Sequence, residues 1–165
     1  MTELKFVRLG LRQRQIWITL RLRWDRSPWT CEAITKRLPI ASQIWHAKWA
    51  NNEVYTLLPV REEIYRPEWT CAYPGPGDLM YLPIGRDGIR LPPNAPPIDT
   101  SNGLIDVAYF YERGSSLIAG PTGPHLGNIF ATPVDVESVE AIANACSDVW
   151  FSGAVGEELL LEAVQ

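Results

Sequence analysis

Sulfur and imidazole are scarce in this chain, with three cysteines, two methionines and two histidines among 165 residues. Cys31, Cys71 and Cys146 form no CxxC pair, and an odd number of widely spaced thiols points to free cysteines in a reducing compartment. His46 and His125 lie far apart, so no protein-only metal site is expected. There is no P-loop, no GxGxxG, no GxSxG and no HExxH, and no cofactor is expected. No stretch approaches the roughly 20 apolar residues of a membrane-spanning helix. Residues 1–9 are charged early and contain no apolar h-region, so no signal peptide is expected. A cytoplasmic location without a membrane partner is the resulting expectation. Positive charge is not in excess either. Fifteen Lys and Arg against 19 Asp and Glu leave a net charge of −4, which speaks against nonspecific nucleic-acid binding.

What is present suits a globular protein, with 46% apolar and 21% charged residues. Residues 1–165 are read as a single domain, since this length can bury a sizeable core unaided and no linker or repeat appears. The patterning is mainly that of strands. Residues 4–11 read as one. Residues 15–25 alternate cleanly, with Ile16, Ile18, Leu20, Leu22 and Trp24 on one face and Trp17, Thr19, Arg21, Arg23 and Asp25 on the other. Ser27-Pro28 opens a helix with the serine as cap, Cys31, Ile34 and Leu38 as buried stripe, and Pro39 as stop. Residues 43–50 and 53–58 flank Asn51-Asn52 as a hairpin.

Further strands are expected over 78–84, 104–111 and 128–134. Residues 59–77 read as loop, and 85–103, with Pro92, Pro93, Pro96 and Pro97, as a long irregular one. Asp135 caps a second helix whose stripe is Val136, Val139, Ala143, Cys146 and Trp150. Residues 157–164 read as a closing strand or a helical tail. Many short strands with two helices suggest a closed or nearly closed barrel, because closure removes sheet edges.

Thr30-Cys31-Glu32-Ala33, then Leu38-Pro39, His46-Ala47-Lys48-Trp49, Tyr73-Pro74-Gly75-Pro76-Gly77-Asp78 and Gly127-Asn128-Ile129-Phe130-Ala131-Thr132 follow one another in order. In that order they resemble an uncharacterised, mostly bacterial family with a cyclophilin-like fold, over nearly the whole chain. The resemblance implies a closed cyclophilin-like β-barrel with a helix packed against an end. It implies no activity. Cyclophilin prolyl isomerases carry an arginine directly after a histidine on the strand following the first helix. Here His46 is followed by Ala47, and the next basic residue, Lys48, is one position late and lacks the guanidinium fork. Prolyl isomerase activity is therefore not the expectation.

The candidate chemistry centres on His46 and Lys48, read as sharing one strand face, where an imidazole titrating near neutrality beside an amine suits general acid–base work. Glu53 and Tyr55 approach Lys48 across the hairpin. Tyr109 offers a hydroxyl at a barrel mouth. Asn128 and Phe130 follow a glycine-rich approach, residues 120–127, whose backbone can come close to a ligand. Each has a plainer reading: a polar strand face with a partnered histidine, amphipathic core tyrosines, a rigid turn ahead of a strand-starting asparagine. His125 reads as a surface residue. The polar face carrying His46 and Lys48 is expected to look onto a hollow, and Trp45 and Trp49 onto the core. Arg8, Arg12, Arg14, Arg21 and Arg23 read as a solvated face paired with acids. Seven tryptophans are too many for one small core, so some face a pocket or a partner subunit.

These readings favour a cofactor-free barrel that binds a small molecule, with isomerase, lyase or hydrolase chemistry on a small polar metabolite open to it. A peptide-binding, prolyl-isomerase-like module and a structural oligomer remain as alternatives. A small-molecule ligand and a homodimer partner are expected, with no nucleic acid.

Overall fold

The computed structural model describes residues 3–88, 90, 91, 93, 95–120 and 123–164. Met1, Pro92 of the proline-rich loop, and Pro121 and Thr122 of the glycine-rich approach lie outside the described residues. In chain order the elements are β1 (Phe6–Leu11), β2 (Ile16–Leu22), α1 (Pro28–Thr35), β3 (Ile40–His46), β4 (Glu53–Pro59), β5 (Thr70–Cys71), β6 (Leu79–Ile84), β7 (Leu104–Phe110), β8 (Gly127–Pro133), α2 (Val136–Ser152) and β9 (Glu158–Val164).

The strands run β2-β1-β9-β3-β4-β7-β6-β8, and β8 pairs back onto β2 through Leu20–Pro133 and Leu22–Ala131. The result is a closed eight-stranded antiparallel barrel, as the cyclophilin-like reading implies. The two-residue β5, inside the segment read as loop, adds to the first residues of β8. It has no period of its own and exists only because that edge of β8 is free to pair. The closing segment is a strand, not a helical tail, because its alternate leucines fit between β1 and β3.

Alternation determines the interior. Val7, Leu9 and Leu11 of β1, Ile18, Leu20 and Leu22 of β2, Ile105, Val107 and Tyr109 of β7, and Leu159 and Leu161 of β9 are all buried in one cluster. Each strand contributes every second residue, the period-two rule of a pleated sheet. β2 ends at Leu22, and Trp24 turns aside to donate from its indole Nε1 to the Leu4 carbonyl at 2.6 Å. Gly10 sits opposite Trp17, whose ring would lie 2.3 Å from any Cβ there. Only glycine leaves room for that indole, over which the Arg8 guanidinium stacks at 4.5 Å.

α1 ends at Thr35, earlier than Pro39 alone would dictate. Its cap also differs from the expectation. Ser27 Oγ donates inward to the Ile129 carbonyl at 2.6 Å. The free N–H groups of Trp29 and Thr30 donate instead to the Glu68 carboxylate, at 2.8 and 2.9 Å. A carboxylate from a distant loop thus serves as the cap, favoured by the positive end of the helix dipole. α2 is capped by Asp135, which accepts from the Ser138 N–H at 2.6 Å. Its buried stripe is Val139, Ile142, Cys146 and Val149. Val136 and Trp150 are exposed, because the helix is rolled so that Ile142 and Val149 meet the barrel.

Four of the five first-hairpin arginines, all but Arg21, are paired with acids. Arg8 meets Glu162, Arg12 meets Glu158, Arg23 meets Asp25, and Arg14 meets both Asp148 and the almost fully buried Glu157. Not one of the seven tryptophans is buried.

Asn128 ties the loop, α1 and β8 together. Its Oδ1 accepts from the Tyr65 hydroxyl at 3.0 Å and the Glu68 N–H at 2.9 Å. Its Nδ2 donates to Thr30 Oγ1 at 2.9 Å and to the Arg66 carbonyl at 2.7 Å. Replacing it by alanine strands these partners in a dry place, so Asn128→Ala is expected to lower stability by about 2–4 kcal/mol in urea unfolding. A loss below about 0.5 kcal/mol would show that the clasp is not structural.

Candidate functional site

The barrel's outer face over β4 and β7 is as dry as its inside, and all seven residues of β7 are buried. Val54 and Thr56 point inward, so Glu53, Tyr55 and Leu57 point outward. On β7 the outward set is Asp106, Ala108 and Phe110, paired with Leu57, Tyr55 and Glu53 respectively. One row across the sheet reads Leu57–Asp106–Leu82, and the next reads Trp45–Tyr55–Ala108–Met80. On this face lies a cavity of about 410 Å³, floored by Glu53, Tyr55, Leu57, Leu82 and Asp106 and walled by residues 45–50, by Gly88, Arg90 and Leu91, and by Ser116, Leu117, Gly120 and His125.

Two carboxyls line this cavity. Glu53 is 3% exposed and Asp106 is 5% exposed, with leucines on the neighbouring strands at either side of Asp106. Asp106 Oδ1 has no hydrogen-bond partner among the described residues. Burial pushes the Glu53 carboxyl up to about 8. Burial, and then the neighbouring Glu53 charge, hold Asp106 well above the ordinary carboxylate range. Neither shift is offset by a cation or a donor, so the two groups titrate as a pair. The Tyr55 phenol is pushed up by burial, then by Asp106 and Glu53. Such a pair can hold one proton on one oxygen while another oxygen accepts one, near neutral pH.

His46 and Lys48 also line this cavity, though not as a pair on one strand face. β3 ends at His46, and Lys48 stands exposed on the bend that follows. The chain leaves the sheet there to reach the turn, where Asn51 takes the left-handed φ of 66°. The two faces of this strand are also the reverse of the expectation. Ile44 and His46 pair with the inward residues Thr56 and Val54, whereas Trp45 pairs with Tyr55 on the cavity side. The neighbouring strand decides this, because the hollow lies outside the barrel and not within it.

The His46 ring is engaged at both nitrogens. Nδ1 lies 2.9 Å from the Ala47 carbonyl, which can only accept, so Nδ1 carries the hydrogen. Nε2 then accepts from the Tyr111 hydroxyl at 2.7 Å. Burial lowers its pKa and keeps it neutral. Trp150 covers the ring, with centroids 5.3 Å apart.

Tyr109, Asn128 and Phe130 are not brought to this cavity. Tyr109 and Phe130 are fully buried in the barrel core, and Asn128 is spent on the clasp. Asp106 escaped the sequence reading. Its signal was an acid in the otherwise apolar and aromatic run 104–111, where alternation puts it opposite Ile105 and Val107. Arg90 and His125 also reach the wall, from loops without periodicity. A larger groove of about 680 Å³ lies between β3 and the proline-rich loop. Its charges are ordinary: Arg37 pairs with Glu63, Glu158 with Arg12, and Asp99 is exposed. Among the described residues no group of His, Cys, Asp and Glu is placed to hold a metal ion, and no helix is long and apolar enough to cross a membrane.

Comparison with known proteins agrees with this fold. The family described as a protein of unknown function (DUF3830) matches residues 9–161. No curated protein sequence matches the chain. Among solved structures, that of McbB in complex with tryptophan superposes with a TM-score of 0.65 at 18% identity. The match covers 94% of this chain but 44% of that one, so the chain spans less than half the length of this neighbour.

The raised pair makes stability fall with pH. An unfolded chain loses these protons near pH 4–4.5, whereas burial makes the folded protein hold the Glu53 proton to about pH 8 and raises Asp106 well above its ordinary range. Between those values the native state binds more protons, so stability is highest below pH 4.5 as far as this pair is concerned and declines toward pH 8. Asp106→Asn and Glu53→Gln are each expected to flatten this decline and to gain on the order of 2 kcal/mol at pH 8 relative to pH 5, read by urea unfolding at both pH values. Parallel pH profiles for wild type and both variants would show that the carboxyls titrate normally.

Proposed function

This chain belongs to the DUF3830 family, and we propose that it is a cofactor-free, cytoplasmic barrel that binds a small polar metabolite on its outer face and exchanges a proton with it. The observation that carries the reading is Asp106 Oδ1, dry and without a partner beside a second buried carboxyl in a cavity of small-molecule size. A folded protein tolerates such a group where a ligand completes it.

In this reading Glu53 and Asp106 are the acid and base. One carboxyl gives its proton to the substrate while the ionised partner accepts another, which serves isomerisation, elimination or hydrolysis without a cofactor. Tyr55 offers its hydroxyl to the ligand, and Trp45, Leu57 and Leu82 exclude water around it. Lys48 and Arg90 stand at the rim, where they would steer and orient a polar end. His46, kept neutral by burial and hydrogen-bonded to Tyr111, borders the wall from the opposite face of β3. Tyr109, Asn128 and Phe130 support the barrel from which this face is built. That McbB is solved with tryptophan bound lends weight to a small-molecule ligand on this architecture.

A screen of small carboxylates and cyclic amides by thermal shift tests the reading. A binder is expected to raise the wild-type Tm by a few degrees, with the shift at least halved in Asp106→Asn. Equal shifts in wild type and variant would place binding elsewhere. No binder, together with carbon-13 NMR showing both carboxyls titrating below pH 5, would reject it.

A second reading concerns assembly. Trp150, Phe151 and Val155 are 54%, 80% and 90% exposed around the end of α2, an apolar patch that a second copy would cover. Sedimentation is expected to show a dimer that Phe151→Asp dissociates. A monomer at the highest soluble concentration would remove the dimer.

A further inference from the structure

Resting on the ligand-binding reading above, we propose that the ligand carries a cationic amine at the end of an apolar body, with the ammonium group seated at the unpartnered Asp106 Oδ1 and in the field of Glu53. Charge is sorted by depth in this cavity. The deep groups are Glu53, Asp106 and the Tyr55 hydroxyl, and among the described residues no cation pairs with either carboxyl. The cations of the wall, Lys48 and Arg90, are exposed. His46 has both ring nitrogens engaged, and His125 is half-buried in a loop.

A carboxylate accepts hydrogen bonds and does not donate them, whereas an ammonium has three donors and no acceptor. An ammonium therefore complements the unpartnered Asp106 oxygen, and the Glu53 carboxyl of the same cavity adds to its attraction. A carboxylate ligand would meet like charge, and a neutral alcohol could satisfy only one of the two. The wall between the carboxyls and the rim is apolar: Trp45, Leu57, Leu82 and Leu117, with Trp49 outside. Aromatic faces add attraction for a cation and area for an apolar body. The volume of about 410 Å³ suits an aryl-alkyl amine.

This arrangement makes binding release a proton. The empty pair keeps a proton near pH 7, first because burial disfavours the ionised carboxyls and then because the Glu53 charge opposes ionisation of Asp106. A bound ammonium stabilises both ionised forms, so that proton leaves as the ligand enters. Tyr55, Lys48, Arg90 and His125 are the other titratable groups of the wall, and His46, kept neutral by burial, borders it from the opposite face of β3.

Isothermal titration calorimetry with 2-phenylethylamine, 2-phenylethanol and 3-phenylpropionate, in two buffers of different ionisation enthalpy, tests the inference. The amine is expected to bind at least about tenfold tighter than the alcohol, and the propionate weakest of the three. Amine binding is expected to release close to one proton, with affinity rising from pH 6 to pH 8. Asp106→Asn and Glu53→Gln should each weaken the amine about tenfold or more, weaken the alcohol by a smaller factor and reduce the proton release. If the alcohol or propionate binds as tightly as the amine, or if the amine fails to bind while the pair still titrates high, the cationic ligand is overturned and the pocket reading stands. If none binds and both carboxyls titrate in the ordinary range, both fall.

Discussion

The pairing of β4 with β7 decides what this protein presents to solvent. Leu57 opposite Asp106 and Tyr55 opposite Ala108 put two acids and a phenol on one outer face. A slip of one residue would turn Asp106 into the barrel, where only apolar side chains could receive it. The inward residues of the same strands prevent that slip, since Val54, Ile105 and Val107 are fully buried and have nowhere else to go. The barrel core therefore holds the register, and the register holds the site.

Burial of the acids is a second consequence of the same sheet. Leu57 and Leu82 stand beside Asp106 on the two neighbouring strands, and the loops over the face keep water from it. Desolvation favours the protonated form, and a second acid nearby strengthens that preference. Where Glu157 is equally buried, three backbone N–H groups and the Arg14 guanidinium compensate its charge. The contrast between these acids separates a structural carboxylate from one left open to a ligand.

Much of the fold could be read from period alone. The alternation in residues 15–25 and 104–111, the Asn51-Asn52 turn and the Asp135 cap all appear as expected, because each depends on neighbours in sequence. The cap of α1 did not, since Glu68 is far from it along the chain and replaces a serine that had every local qualification. The roll of α2 could not be read either, because Val139, Ala143, Cys146 and Trp150 have helical spacing as good as the stripe that is buried. Around the site, Glu53 and Tyr55 were found by hairpin geometry, and Asp106 was not, because nothing local marks which side of β7 faces a hollow.

Composition and patterning by themselves determined a mainly β chain with two helices and free thiols, and the ordered motifs separately carried the resemblance to a cyclophilin-like family. Those properties follow from residue type and short-range spacing, which a linear chain carries openly. Only the tertiary structure decided that the hollow lies outside the barrel, that Trp45 and not His46 faces it, and that Glu53 and Asp106 share it. Closure and register bring together residues about fifty positions apart, and desolvation, which gives a carboxyl its chemistry, exists only once the surrounding leucines and loops are in place.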